Sequence, residues 1–431
     1  MESKKIPLLE QSYWPISHHI TPSLHGKHAS EVVIVGGGMA GLHAAQAFIK
    51  RGRKVILIEK NYCGAGASGR SSGFITPDSE YSLHEFIETY GPVDGKKFWD
   101  FVTGGVTLIR DTINHRGLKC DMVQQDTCVV ANSKHAFTSD LVKEHETRKK
   151  MGYASQLYTA NEVPRVVGSP DYYGAVRYNG SFGINGFAYC QELKKALMRD
   201  GLTVYEDTPA VTIDDHTVKT PYGEVQADHV VLCVDHFLPS IVSGPVADAV
   251  YQVQTFLMIS EPLNDWQASF LFPSGPLMVW DTDLIYTYYR LTGDNRLLLG
   301  GGSLWTLYAS HEQHGNHSIR RQLLRYVERK FPGLNPTFSY FWAGLIGVSK
   351  DIVPLAGAFE DRPWLYYVGA GAGLPWAAAM GEYSAAHILE GKQEMDRLLS
   401  PYRSFPVGGM VQKVIGKRLS FAISQGKALF L

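Results

Sequence analysis

The chain has 431 residues, a formal net charge of −1, and is 45% hydrophobic and 12% aromatic. Those values describe a folded globular protein with a large core and more than one domain, and they exclude a disordered chain and a strongly basic nucleic-acid binder. Five cysteines without a C-x-x-C pair exclude a zinc ribbon and a dithiol reductase, and no apolar run of about eighteen residues predicts a membrane-spanning helix.

Residues 1–30 carry Pro7, Pro15, Pro22 and four histidines, with no apolar core of signal-peptide length. They read as an N-terminal extension and not as a targeting segment. His18, His19, His25 and His28 match no metal-ligand spacing, so surface histidines and no metal are expected. The odd cysteine count fits a reducing compartment, and a cytoplasmic location is expected.

The next segment is the most specific in the chain. The apolar run Val32 to Val35 predicts a buried strand that enters Gly36-x-Gly38-x-x-Gly41. A helix follows, with Leu42, Ala45 and Ile49 on one face and Gly52 as its stop, and then a second strand, Val55 to Ile58, ending at Glu59. This is a dinucleotide-binding unit. Gly36 allows the turn, Gly38 lets the backbone approach a pyrophosphate, and Gly41 lets helix and strand pack closely. The helix N-terminus attracts phosphate, and Glu59 is placed to accept from ribose hydroxyls and to repel a 2′-phosphate.

A second loop, Gly64 to Gly73, packs four glycines with Ser68, Ser71, Ser72 and Arg70. A nicotinamide enzyme has no need of it. A flavin does, because the ribityl chain and ring must be carried away from the adenine site. Arg70 is expected to pair with pyrophosphate or to position the substrate side of the loop.

Residues 250 to 345 turn β-rich: 251–259, 277–280, 284–291 and 296–299 read as an antiparallel sheet. Period-two alternation puts Tyr286 and Tyr288 on one face and Tyr289 on the other. Such an aromatic wall suits an ammonium group, although sheet core is the alternative for any one of these rings. Arg290 and Lys350 are the candidates for gripping a substrate carboxylate, with a surface strand position as the rival reading of Arg290.

Tyr366 to Val368 predicts a further strand, followed by Gly369-Ala-Gly-Ala-Gly373 and a helix that starts near Pro375 and ends at Gly391. The loop aims a helix N-terminus at whatever lies before it. Beyond Pro406, residues 408–431 carry Lys413, Lys417, Arg418 and Lys427, no acid, and helical apolar spacing. Two readings of this tail stay open: a helix packed on the body, or a basic amphipathic helix on the inner face of a membrane.

Ser12-Tyr-Trp14, the Gly36–Gly41 fingerprint and Gly66-Ala-Ser-Gly-Arg-Ser-Ser-Gly73 together resemble the FAD-dependent D-amino-acid oxidase superfamily, in particular its γ-glutamylputrescine oxidase and L-pipecolate oxidase branch. Weaker echoes are Gly183 to Tyr189, Arg296 to Gly302, Phe341 to Gly344 and Ser349 to Pro354. One departure stands out: Val234-Asp235 replaces the family's threonine–glycine pair after the strand 227–233.

The resemblance implies an α/β chain with a Rossmann-like FAD-binding domain of the GR2 type and an inserted α+β, mainly antiparallel-sheet substrate domain. The expected division is 1–30 as extension, 31–95, 176–248 and 346–400 as the discontinuous FAD domain, 96–175 and 249–345 as the substrate domain, and 401–431 as the tail. It implies FAD held non-covalently, because Arg70 and Ser349-Lys-Asp351 occupy the segments where relatives tether the cofactor. The implied cofactor contacts are Gly36, Gly38, Met39, Ala40 and Gly41; Glu59 and Lys60; Gly66, Ala67, Ser68, Arg70, Ser71, Ser72 and Gly73; Val211 beside the adenine; and Gly371, Gly373, Leu374 and Pro375 beside the flavin ring. The implied activity is oxidation of the C–N bond of a small amine or amino acid by hydride transfer to flavin N5, followed by imine hydrolysis. Oxygen is the expected acceptor, with quinone the alternative for a membrane-bound form. A catalytically silent flavin-binding protein is the rival of a different class. Tyr288, Arg290 and Lys350 are the expected positioning residues.

Overall fold

The computed structural model describes residues 12–14, 20–78, 80–235, 245–283, 285–302, 316–371 and 373–405. The tail 408–431, His18 and His19 lie outside the described residues. Among the described residues the chain forms two eight-stranded sheets and one three-stranded sheet.

The first sheet has a parallel centre in the order Thr203–Tyr205, Val55–Ile58, Gly26–Val35, Gly223–Leu232 and Leu365–Gly369. Val33 sits between Ile56 and Val230 across it. These strands are near-continuous apolar runs because helices cover the sheet. The helix Met39–Lys50 packs between sheet and the helix Leu374–Glu390, and the long helix Leu83–Arg116 packs on the latter. That long helix breaks at Gly91, whose φ of 78° precedes Pro92.

The second sheet runs in the order Phe338–Ser349, Val250–Pro262, Arg296–Gly301, Tyr288–Leu291, Leu277–Asp281, Asp126–Val130, Gly174–Tyr178 and Gln156–Thr159. It is antiparallel except where Leu277–Asp281 pairs in parallel with Asp126–Val130. Its far face is a separate apolar core that includes Tyr289 and is closed by the helix His317–Lys330. Its near face borders the first sheet's ligand edge. The small third sheet, Phe74–Ile75, Phe182–Gly183 and Val123–Gln124, bridges the two.

Two expected boundaries move. The strand Phe338–Ser349 lies wholly in the second sheet, so residues 346–349 belong with the antiparallel layer. Phe98, Trp99, Val102, Val106, Ile109 and Ile113 share one core with Met39, Leu42 and Trp376, so residues 96–116 pack with the nucleotide-binding layer. The long helix is amphipathic toward that layer, and composition alone did not reveal which sheet would receive it.

Candidate active site

One cavity of about 1790 Å³ runs along the seam between the two large sheets. This exceeds the roughly 300–1,000 Å³ of an ordinary small-ligand pocket, and leaves room for a dinucleotide and a second small molecule.

At one end the fingerprint turn forms the wall. A Cβ on Gly36 would lie 2.3 Å from the Cys233 carbonyl oxygen, and one on Gly41 would lie 1.9 Å from the Gly36 carbonyl oxygen. Gly36 also has φ 110°. Only glycine fits these positions, the first for turn geometry and the second for close packing. Gly38, Met39 and Ala40 line the cavity at the N-terminus of the helix Met39–Lys50, and Ser68 Oγ accepts from the Met39 N–H at 2.9 Å. Glu59 Oε2 accepts from Gly37 N–H at 2.7 Å and its Oε1 from Asn61 N–H at 2.9 Å. Burial raises its carboxyl above the usual range, and those two N–H groups work against the shift. Lys60 lines the same end.

The second loop closes over the middle. Gly66, Ala67, Ser68, Arg70, Ser71, Ser72 and Gly73 all face the cavity. A Cβ on Gly73, where φ is 71°, would lie 1.9 Å from the Ile184 carbonyl oxygen. Arg70 donates to the Ala343 carbonyl at 2.6 Å, and Trp342 Nε1 donates to the Arg70 carbonyl at 3.0 Å. Arg70 therefore dovetails the loop to the strand Phe338–Ser349.

Gly371, Gly373, Leu374 and Pro375 form the third wall. Gly373 has φ 113° and Pro375 sits in the first turn of the helix Leu374–Glu390, whose N-terminus carries no side-chain cap. Three non-glycine residues around this end hold left-handed backbone: Asp235 (φ 52°), Ile352 (φ 69°) and Ala370 (φ 51°). Such strain concentrates at functional sites. Asp235 accounts for the departure seen in the sequence. Aspartate tolerates the left-handed region that a glycine would otherwise occupy. Its Oδ2 accepts from Gly347 N–H at 2.8 Å, and its carbonyl accepts from Tyr367 Oη at 2.6 Å. The substitution is a latch between the two sheets.

Three expected contacts are corrected. Gly41 does not line the cavity; it packs its backbone against the Gly36 carbonyl. Val211 is 48% exposed and does not line the cavity; its N–H donates to the Lys219 carbonyl at 2.8 Å. Thr208, Pro209 and Ala210 line the adenine end instead. Arg290 does not line the cavity either. It is fully buried, donating from Nε to the Ser72 carbonyl (2.7 Å), from Nη1 to the Leu291 carbonyl (3.0 Å) and from Nη2 to the Ile184 carbonyl (2.7 Å). Burial lowers its pKa to about 10, which leaves it charged. It braces the second loop from behind and cannot reach a substrate carboxylate.

Tyr288 and Lys350 do line the cavity. Tyr288 packs edge-on to Phe74 at 5.7 Å and lies 5.8 Å from Tyr286, and Phe74 meets Trp280 edge-on at 6.1 Å. Tyr289 faces the other way and bonds Tyr172, as the alternation predicts. Lys350 is buried, with Nζ 5.8 Å from the Phe405 ring centre. The structure adds a chamber floor that no motif announced: Thr76, Asp78 and Glu80, with Tyr81, His84 and Tyr90. The only signal was alternation, since Phe74, Thr76, Asp78 and Glu80 occupy every second position.

A family profile described as "FAD dependent oxidoreductase" (DAO) matches residues 31–387. The chain belongs to this family. The glycine positions that a Cβ would fill and the two helix N-termini on one cavity fit FAD, which is held non-covalently. Similar proteins include a probable oxidoreductase OrdL of Haemophilus influenzae (28% identity over 85% of each chain) and the γ-glutamylputrescine oxidoreductase of Escherichia coli (27% over 88% of each). Among solved structures, glycine oxidase from Geobacillus kaustophilus superposes with TM-score 0.72, at 20% identity over 88% of this chain and 100% of that one. L-proline dehydrogenase from P. horikoshii superposes with TM-score 0.73, at 19% identity over 88% and 98%. At these identities the solved structures speak for the fold of the flavoenzyme. Among the described residues no helix is long and apolar enough to cross a membrane, and no cluster of ligating side chains forms a metal site.

Proposed function

We propose that this flavoenzyme oxidises the C–N bond of a small amine or amino acid, giving an imine that water hydrolyses, with oxygen as the final acceptor. The carrying observation is that the glycine-built cradle and the aromatic wall of Phe74, Trp280, Tyr286 and Tyr288 belong to one continuous cavity. Relatives named for amine and amino-acid substrates support the substrate class.

Bound FAD supplies the hydride acceptor. The protein's part is binding and positioning. The ring faces attract an ammonium group at the mouth, and their apolar surface then favours the neutral amine that can give up hydride. Tyr288 orients the substrate beside the second loop through its packing on Phe74. The positive end of the helix Leu374–Glu390 faces the cavity and favours negative charge there. Lys350, at the same end, adds a cation for oxygen reduction or for a substrate carboxylate.

Anaerobic mixing of the purified protein with a panel of amines and amino acids tests the reading. Bleaching of the flavin band by at least one member is expected. Failure of every member would leave a silent flavin-binding protein. An oxygen electrode then tests the acceptor: consumption stoichiometric with substrate is expected, and consumption only in the presence of added quinone contradicts oxygen.

A further inference from the structure

Resting on the amine reading above, we infer that the substrate is a dication, an amine whose second ammonium group seats on the acidic floor formed by Asp78 and Glu80. A carboxylate-bearing amino acid is the class this chamber fits less well.

The floor is continuous with the flavin loop. Gly73 ends that loop, and Phe74, Thr76, Asp78 and Glu80 then face the cavity at alternate positions. Phe74 meets Tyr288 at 5.7 Å, Tyr288 meets Tyr286 at 5.8 Å, and Tyr286 Oη donates to Glu80 Oε1 at 3.1 Å. A chain laid along this wall from the second loop passes three aromatic rings and ends on a carboxylate. That order suits an amine at the reacting end, an aliphatic spacer against the rings, and a cation at the far end.

The acids are short of positive charge. Asp78 is 6% exposed, lines the cavity, and its Oδ1 accepts no hydrogen bond. Arg148 Nη2 approaches it at 3.5 Å, but Arg148 Nε already bonds Glu144 at 2.5 Å, so one guanidinium serves two buried carboxylates. Glu80 has a neutral partner, Tyr286, and no ion pair among the described residues. Glu80 is reached by the solvent of the open cleft, yet the surrounding walls confine it. The cleft walls push its carboxyl upward, and burial pushes Asp78 up more firmly. An incoming ammonium would supply the missing charge.

The cations facing the cavity are engaged elsewhere. Lys60 stands at the nucleotide end beside Glu59, Arg70 donates to the Ala343 carbonyl, His84 on the floor pairs with Glu144 at 3.2 Å, Lys143 pairs with Glu88 at 3.1 Å, and Lys350 lies against Phe405. With Arg290 behind the loop, no described arginine stands on the floor to hold a carboxylate in two-pronged fashion.

The test uses the holoenzyme and two quaternary probes that lack an oxidisable amine, 1,5-bis(trimethylammonio)pentane and pentyltrimethylammonium, with affinity read by calorimetry. The dication is expected to bind roughly tenfold tighter or more, and Glu80→Gln to reduce that ratio to about threefold or less. Equal affinity of the two probes for the wild-type protein would overturn the inference without relying on any variant. Anaerobic flavin reduction by 1,5-diaminopentane, 1-aminopentane and 5-aminopentanoate gives the second arm. The diamine is expected to have the highest kcat/KM. A higher value for 5-aminopentanoate overturns the dication and leaves amine oxidation standing. No reduction by any amine, together with equal probe affinities, overturns both.

Discussion

The proposed nucleotide cradle and the proposed substrate chamber share one cavity but are built from different material. The proposed cradle is backbone: Gly36, Gly38, Gly73 and Gly373 line it with main chain, and two helix ends face it. The chamber is side chain: Phe74, Trp280, Tyr286, Tyr288, Asp78 and Glu80 arrive from segments far apart in sequence. A backbone cradle fixes the cofactor and tolerates no added atom. A side-chain chamber can be re-lined without disturbing the fold. The family's constancy of cofactor and variety of substrates has this physical basis.

The largest effect should come from forcing open the turn that forms the cradle. Gly41→Val places a side chain where even a Cβ would be 1.9 Å from the Gly36 carbonyl oxygen, so the purified variant should carry no FAD by absorbance. Retained stoichiometric FAD would show that the cradle is not where the cofactor sits. Next in size is the brace between the regions. Arg290→Met removes donors from three carbonyls and should lower stability by roughly 3 kcal/mol or more in urea unfolding, with Arg290→Lys recovering part of it. A variant of wild-type stability would mean that Arg290 does not hold the second loop.

Smaller changes probe charge. Lys350→Met should slow reoxidation by oxygen about tenfold in stopped flow and change substrate reduction less. An unchanged oxygen rate would assign Lys350 to structure alone. His43, fully buried behind the cradle with Nε2 2.8 Å from Tyr189 Oη, is held near pKa 3 by burial. Its folded pKa lies below its unfolded value of about 6.5, so the unfolded chain takes up the proton first and stability falls as pH drops below that value. His43→Gln should flatten this part of the urea-stability profile between pH 7 and 4. The smallest effect belongs to Val211: Val211→Ala should leave FAD affinity within about twofold by fluorescence titration, since the residue stands outside the cavity.

The same contrast decides what could be read in the chain. Gly36 to Glu59 and Gly64 to Gly73 are contiguous, and each glycine has a local steric reason, so cradle and cofactor were legible. Val211 falls just beyond the cavity, which Thr208, Pro209 and Ala210 line, because the local turn and not the sequence position sets which residue faces in. Asp235 looked like a defect and is a latch, because an aspartate can take the backbone conformation expected of glycine and add a side-chain bond. Arg290 was misassigned for a different reason. Alternation places Tyr289 and Arg290 on opposite faces of their strand, but it cannot say that the guanidinium would meet the carbonyls of Ser72 and Ile184 in distant loops. Asp78 and Glu80 went unread because two acids two positions apart are ordinary until the rings they adjoin are known. Residues 96–116 of the helix Leu83–Arg116 were assigned to the other layer because helical spacing reveals an apolar face but not which sheet receives it.

The most direct test of the central claim is the absorbance spectrum of the purified protein, recorded before and after acid precipitation. The account predicts a flavin band at one FAD per chain and its full release into the supernatant as intact FAD. A colourless protein that takes up no added FAD, or a flavin that stays with the precipitate, would contradict it.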